Sequence, residues 1–298
     1  MTRLREADLD PVPGRLDAYD AQLREITGAS LRQVACRAAG VREPAVLGLL
    51  ERVRFAAVPV TGGLGVIPGF SEAVAAVVSH LGFPVMVTAR PDEAGIDEGA
   101  RNGADVLLTA DDHRFLAITP RGEELADNVV ATARGFVTGL ELMNGGLEGE
   151  SVLVLGCGPV GVAAAAALLD RGASVAFCDV VAYRARAARQ ALAEEGGDRI
   201  QVEDDPLTAL VGYRLIFDAT NAGGLIEAHH LTPATLVAAP GMPCALTPEA
   251  MEESRHRILH DPLEIGTATM AVAAAAALAG GRETGEVSGK DWRGTGQP

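Results

Sequence analysis

The sequence predicts an α/β protein built as two sheet-and-helix units. Two observations on periodicity and one on size carry that reading. Short apolar runs of β character alternate with amphipathic stretches of helical period over residues 55–108, and the alternation resumes over residues 151–238. One long amphipathic stretch, 127–144, lies between the two series. The chain has 298 residues, enough for two domains at roughly 100–200 residues each.

In chain order, residues 13–50 place Leu, Ala, Ile and Val at helical spacing. The period then changes. Phe55 to Val60 is a short strand stopped by Thr61-Gly62-Gly63-Leu64-Gly65, and Phe70 to Leu81 returns to helix. Pro84 to Val87 reads as a strand, Asp92 to Asn102 as a short helix with Gly103 beyond its end, and Asp105 to Leu108 as a strand. Val129, Ala133, Phe136, Leu140 and Met143 recur at three and four residues, so Asp127 to Asn144 is a helix, capped by Asp127 or Asn128 and stopped by Gly145-Gly146. The second series predicts strands at Ser151–Leu155, Ser174–Cys178, Leu215–Phe217, Leu236–Ala238 and His256–His260. It predicts helices at Pro159–Arg171, Tyr183–Glu195 and Met270–Leu278. Gly281 to Pro298 is Gly-rich and polar and is expected to be a flexible tail.

Composition excludes several classes. The formal charge of −15 offers no cationic footprint for nucleic acid. The longest apolar run, Met270 to Ala279, has about half the length a membrane-spanning helix needs. The start, MTRLREADLD, carries charges where a signal peptide needs an apolar stretch, which predicts a cytoplasmic protein. Cys36, Cys157, Cys178 and Cys244 show neither disulfide-framework nor zinc spacing, and no metal is expected. The chain has one lysine, Lys290, in the polar tail. A mechanism needing a lysine base or Schiff base in the core therefore has no candidate.

The strongest local signal is VLVLGCGPVGVAAAAALLDRGASVAFCD. Gly156, Gly158 and Gly161 form G-x-G-x-x-G between a strand and a helix. The first glycine permits the tight turn, the second lets backbone approach a pyrophosphate, and the third lets helix and sheet pack closely. Pro159 and Val160 open the helix whose N-terminus would face the anion. Asp179 ends the next strand, at the distance where a carboxylate accepts from both adenosine ribose hydroxyls. It would repel a 2′-phosphate, which favours NAD, although Arg184 and Arg186 follow closely. A methyltransferase loop looks similar, but the strand carries no acid and the third glycine is spaced for a dinucleotide. Ala219 and Thr220 in FDATN, and Pro240 in APGMPC, end later strands where loops face the nicotinamide. The predicted fold is thus a C-terminal Rossmann domain with an N-terminal α/β domain, in the two-domain manner of amino-acid dehydrogenases. The expected boundaries are 1–146 for the helical and α/β substrate domain, 147–250 for the NAD-binding domain, 251–280 for a return to the first domain, and 281–298 for the tail.

Other loops carry two readings each. Thr61 to Gly65 either surrounds an anion with backbone N–H groups or is a bare turn. Asp111 and Asp112 at a strand end either serve a substrate ammonium or cap the next segment, and Asp261 and Glu264 pose the same choice.

The segments VPVTGGLGVIPGFSEAVAAVVSHLGF, GADVLLTADDHRFLA, LVLGCGPVG, FDATNA, PGMPCALT and DPLEIGTATM together resemble the PylD family, the ring-closing dehydrogenases of pyrrolysine biosynthesis, in collinear order over residues 15–280. The resemblance implies NAD-dependent oxidation of a primary amine in a lysine–methylornithine conjugate. The resulting iminium is hydrolysed to an aldehyde, and a second amine condenses with it to a pyrroline ring. That chemistry needs no catalytic lysine, unlike that of leucine, glutamate and shikimate dehydrogenases. It also implies that Asp111 grips a substrate ammonium and accepts a proton, that Phe70 walls the pocket, and that Thr61 to Gly65 hold a substrate carboxylate. Two positions depart from the family pattern. Gly62 stands where a serine is expected and Asp261 where a glutamate is expected, so the substrate is less constrained than the reaction. A different small amino acid on the same fold, or an NAD-binding protein without chemistry, are the alternatives. The acidic surface and apolar helix faces are compatible with a homodimer or a monomer.

Overall fold

A computed structural model describes residues 4–284. Their elements run α1 (Glu6–Leu9), α2 (Val12–Thr27), α3 (Leu31–Ala38), α4 (Glu43–Leu47), β1 (Phe55–Val58), α5 (Phe70–His80), β2 (Val85–Val87), α6 (Asp92–Arg101), β3 (Val106–Ala110), β4 (Phe115–Ile118), β5 (Glu124–Asp127) and α7 (Asn128–Asn144). The second series is β6 (Ser151–Leu155), α8 (Pro159–Leu169), β7 (Ser174–Cys178), α9 (Ala182–Ala191), α10 (Ala193–Gly196), β8 (Ile200–Val202), α11 (Pro206–Gly212), β9 (Leu215–Asp218), β10 (Leu236–Ala238), α12 (Pro248–Ser254), β11 (Ile258–Leu259) and α13 (Glu264–Thr284).

Two sheets result. The first has the order β2-β1-β3-β4-β5, parallel at β1 to β3 and antiparallel beyond. The second has the order β11-β10-β9-β6-β7-β8 with every pair parallel. This is the Rossmann order, in which the chain reverses direction between β6 and β9. The crevice outside their carboxyl ends is where such sheets take ligands. The strands are buried on both faces, as parallel strands covered by helices must be, so they read as continuous apolar runs.

Most predicted elements appear within a residue or two. The hairpin β4–β5 was not foreseen. Its FLAI and ELAD runs are short, and Gly122 at φ 86° makes the turn between them. Strand β8 and helix α11 were also missed, for the same reason of length. The predicted helix 183–195 breaks at Leu192 into α9 and α10. Helix α13 begins six residues before the expected Met270. Oδ1 of Asp261 accepts from the N–H groups of Leu263 and Ile265 (3.1 and 3.2 Å), so the polar PLEIGTAT stretch starts the helix. The same helix enters the expected tail as far as Thr284; the rest of 281–298 lies outside the described residues.

Helices α7 and α13 pack together and join the two sheets. Glycines permit the approach: a Cβ on Gly135 would lie 2.4 Å from Ile265 Cγ2, and one on Gly266 2.4 Å from Thr132 Oγ1. Two glycines inside α7 weaken the isolated helix by about 1 kcal/mol each; close packing against α13 and β11 offsets that cost.

Candidate active site

One cavity of about 610 Å³ lies between the two sheets. It gathers Gly62, Phe70 and Asp111 from the first, Gly156, Gly158, Pro159, Val160, Asp179, Ala219, Thr220 and Pro240 from the second, and Asp261 ahead of α13. Two expected residues do not line it. Thr61 turns away, its N–H (2.8 Å) and hydroxyl both held by Asp92. Gly161 is buried beneath the glycine loop, where a Cβ would lie 1.9 Å from Gly156 O.

The loop after β6 is shaped to hold a dinucleotide pyrophosphate. Gly156 has φ 83°, and a Cβ there would meet the Ala219 backbone at 2.9 Å. Gly158 has no heavy atom within 4 Å of a Cβ position, so a ligand can reach its backbone. Pro159 opens α8, so the Val160 and Gly161 N–H groups belong to the first turn, which has no intrahelical acceptors for them, at the positive end of the helix dipole. Asp179 bridges this loop to the next: Oδ2 accepts from Cys157 N–H and Oδ1 from Val181 N–H, both at 2.8 Å. Arg184 lines the cavity beside it.

Asp111 follows β3, at the start of the turn into β4. Its Oδ1 accepts from the N–H groups of His113 and Arg114, both at 2.7 Å. Those two amides hold its pKa below the usual carboxylate value. Oδ2 makes no hydrogen bond among the described residues, and Asp111 lines the cavity, bringing a persistent negative charge to it. Such a carboxylate suits an ammonium better than it suits accepting a proton near neutral pH. Phe70 packs edge-on against Phe115 with ring centroids 5.3 Å apart. This pair forms an apolar wall beside the charge.

The loop Thr61 to Gly65 offers fewer amides than its sequence promised. Asp92 takes that of Thr61, Asp112 Oδ2 takes that of Leu64 at 2.7 Å, and Gly65 N–H turns back to Gly62 O at 3.2 Å. The Gly62 and Gly63 amides remain for an anion. Gly63 has φ 67°, and a Cβ there would strike Asp112 at 1.9 Å. Gly62 is free of such limits, with Val60 Cγ1 at 3.9 Å. Gly62→Ser is therefore expected to change stability by less than about 0.5 kcal/mol in thermal unfolding. It should also lower KM for a carboxylate-bearing substrate. An unchanged KM would remove this loop from substrate binding.

Asp261 is buried and shared between cap and cavity. Its Oδ2 accepts from the Tyr19 hydroxyl at 2.6 Å, while Oδ1 caps α13. Beside it, fully buried Glu264 accepts from Arg15 at 2.6 Å. Burial, then the Glu264 charge, push the Asp261 carboxyl far above the usual range. The folded state therefore holds a proton that the unfolded chain releases near pH 4. This contribution to stability is full at acidic pH and is lost as pH rises through the folded value. Asp261→Asn should flatten the decline in melting temperature between about pH 5 and pH 8 relative to wild type. Parallel curves would mean that Asp261 is ionised throughout. Tyr19 and Arg15 were not foreseen as site residues, because helix α2 reads as an ordinary amphipathic stretch and their partners lie some 240 positions away.

Among the described residues no group of three or more His, Cys, Asp or Glu side chains is placed to hold a metal ion, and no helix is long and apolar enough to cross a membrane.

Residues 8–126 match the family described as pyrrolysine biosynthesis protein PylD, N-terminal domain. A pyrrolysine synthase of Methanosarcina acetivorans is 30% identical over 272 residues, covering 91% of this chain and 98% of the relative. The chain belongs to the PylD family. A second PylD-family relative, the pyrrolysine synthase of Methanosarcina barkeri, is 29% identical and covers 91% and 97%. Among solved structures, a quinate dehydrogenase from Corynebacterium glutamicum in complex with NAD superposes with a TM-score of 0.52 at 16% identity. It covers 78% of this chain and 98% of that one. A shikimate dehydrogenase from Aquifex aeolicus gives 0.50 at 13%, covering 76% and 97%. These likenesses concern the fold alone. The PylD-family motifs noted in the sequence fall on the cavity: T-A-D-D-H-R-F carries Asp111, and D-P-L-E-I-G carries Asp261.

Proposed function

We propose that the chain is an NAD-dependent dehydrogenase that oxidises a primary amine in a lysine–methylornithine-type conjugate, giving an aldehyde that cyclises to a pyrroline. One observation carries this reading: a single cavity presents both a pyrophosphate-binding glycine loop and a carboxylate with one free oxygen. The relatives' name, pyrrolysine synthase, supports it, as does the NAD bound by the quinate dehydrogenase of like fold.

In this reading the Val160 and Gly161 amides hold the cofactor pyrophosphate and Asp179 its adenosine ribose. Ala219, Thr220 and Pro240 wall its nicotinamide end. When bound, NAD supplies the hydride acceptor. Asp111 Oδ2 grips the substrate ammonium, and the Gly62 and Gly63 amides meet a carboxylate. Phe70 excludes water from the carbon that loses hydride. The ammonium must shed a proton before that carbon can be oxidised. Asp261, held in its protonated range by burial, is better matched to exchanging a proton near neutral pH than Asp111. Hydrolysis of the iminium releases ammonia, and condensation with the substrate's second amine releases water. The chain then contributes no lysine, in agreement with its composition.

Gly62 and Asp261, a lost hydroxyl and a shorter acid against the family pattern, favour a second reading in which a related diamino-acid conjugate is the substrate. Incubation with NAD or NADP and with lysine–methylornithine or lysine–ornithine conjugates tests both. NADH absorbance with a product lighter by two hydrogens and one ammonia supports the reading and ranks the conjugates. NAD binding without turnover of either conjugate would reduce it to cofactor binding.

A further inference from the structure

Asp218, at the end of β9, is a charge that the mechanism above leaves unused. It is fully buried. Its Oδ1 accepts from the Thr220 N–H at 3.0 Å and the Thr220 hydroxyl at 2.7 Å. Its Oδ2 has no hydrogen-bond partner; the Ala245 amide lies near enough to favour the charge without bonding it squarely. Gly241 closes the other side. Its N–H donates to Asp218 O at 3.1 Å, and a Cβ there would lie 3.1 Å from Oδ2 and 2.3 Å from Thr220 O. The carboxyl is thus wedged between the FDATN and PGMP turns, whose Ala219, Thr220, Pro240 and Gly241 line the cavity.

Among the described residues no cationic side chain compensates it. Burial raises its pKa to about 6, so it remains largely ionised at neutral pH. Cys244 feels its charge, and burial pushes that thiol up to about 11, so it stays neutral. His260, beyond β11, contacts Ala239 O at 2.6 Å through Nδ1, and burial lowers its pKa. An unpaired buried carboxylate is costly, and an asparagine would make the same bonds to Thr220 without that cost. A charge kept at such cost behind the walls of a ligand cavity points to a task.

We infer that Asp218 is a positioning residue of the cofactor site, whose buried negative charge favours the oxidised, cationic nicotinamide over the reduced, neutral one. The inference rests on the dinucleotide reading of the cavity. The two cofactor forms differ by one positive charge on the ring. The turns that carry Asp218 are the ones that line the cavity, and in a low-dielectric interior a charge acts through such a layer. Oxidised cofactor then holds Asp218 ionised, whereas reduced cofactor lets it take up a proton. By linkage, acid weakens the binding of the oxidised form relative to the reduced form.

Dissociation constants of NAD, by calorimetry, and of NADH, by its fluorescence, test this in the wild type and in Asp218→Asn. At pH near 7.5 the variant should raise the ratio of the NAD constant to the NADH constant about tenfold. In the wild type the ratio should climb as pH falls through about 6, and in the variant it should not. Equal shifts of both constants would show a purely structural role and overturn the inference. If the variant fails to fold, a wild-type ratio that stays flat between about pH 5 and pH 8 overturns it alone. Failure of the wild type to bind either form would instead defeat the dinucleotide reading, and this inference with it.

Discussion

Asp111→Asn should lower kcat/KM for the amine substrate about a thousandfold, in line with losing a charge partner to an ammonium. It should leave the NAD dissociation constant unchanged. The substitution isolates charge from shape. Asparagine Oδ1 can still accept from the His113 and Arg114 amides that fix the hairpin turn, so the loop keeps its course. What changes is the outer oxygen. It loses its negative charge, and an amide nitrogen there would point donors at the ammonium. Because those two amides hold the carboxylate below its usual pKa, titration of Asp111 should not produce an acid limb in the rate above about pH 5. Steady-state rates across pH, with cofactor binding measured in parallel, check both statements. A variant that keeps wild-type kcat/KM would move the ammonium site elsewhere.

Gly161→Val should remove dinucleotide binding, raising the dissociation constant by about a hundredfold or more. Two charge-assisted bonds from backbone N–H to phosphate are worth about 1.5–3 kcal/mol each. The obstacle is backbone, not a flexible side chain: the new Cβ would sit 1.9 Å from Gly156 O. Helix α8 can admit it only by withdrawing from the loop, and the amides at its first turn withdraw with it. Overpacking of this kind costs about 1–3 kcal/mol of stability, so thermal unfolding and far-UV circular dichroism should accompany the binding titration. A folded variant with unaltered affinity would show that the pyrophosphate does not use this helix.

Local chemistry by itself determines the β6–α8–β7 unit. Glycines at fixed spacing, an apolar strand, a helix and a terminal acid each act within a few residues, so their geometry follows from the chain itself. The same is true of the α7 cap, where Asp127 Oδ1 accepts from the Val129 N–H at 2.7 Å. The family motifs also marked Asp111 and Asp261 as worth attention. Only the tertiary structure decided what surrounds those acids. Whether a carboxylate holds a cation, caps a helix or keeps a proton depends on what surrounds it. For Asp261 that is Tyr19 and Glu264, the first brought from the far end of the chain; for Asp111 it is two amides of the tight turn between β3 and β4. Thr61 followed the same rule, drawn outward by Asp92 although its loop lines the cavity. Burial, which raises the pKa of Asp218 and of Asp261, is a property of the packed molecule and has no periodicity in the sequence to announce it.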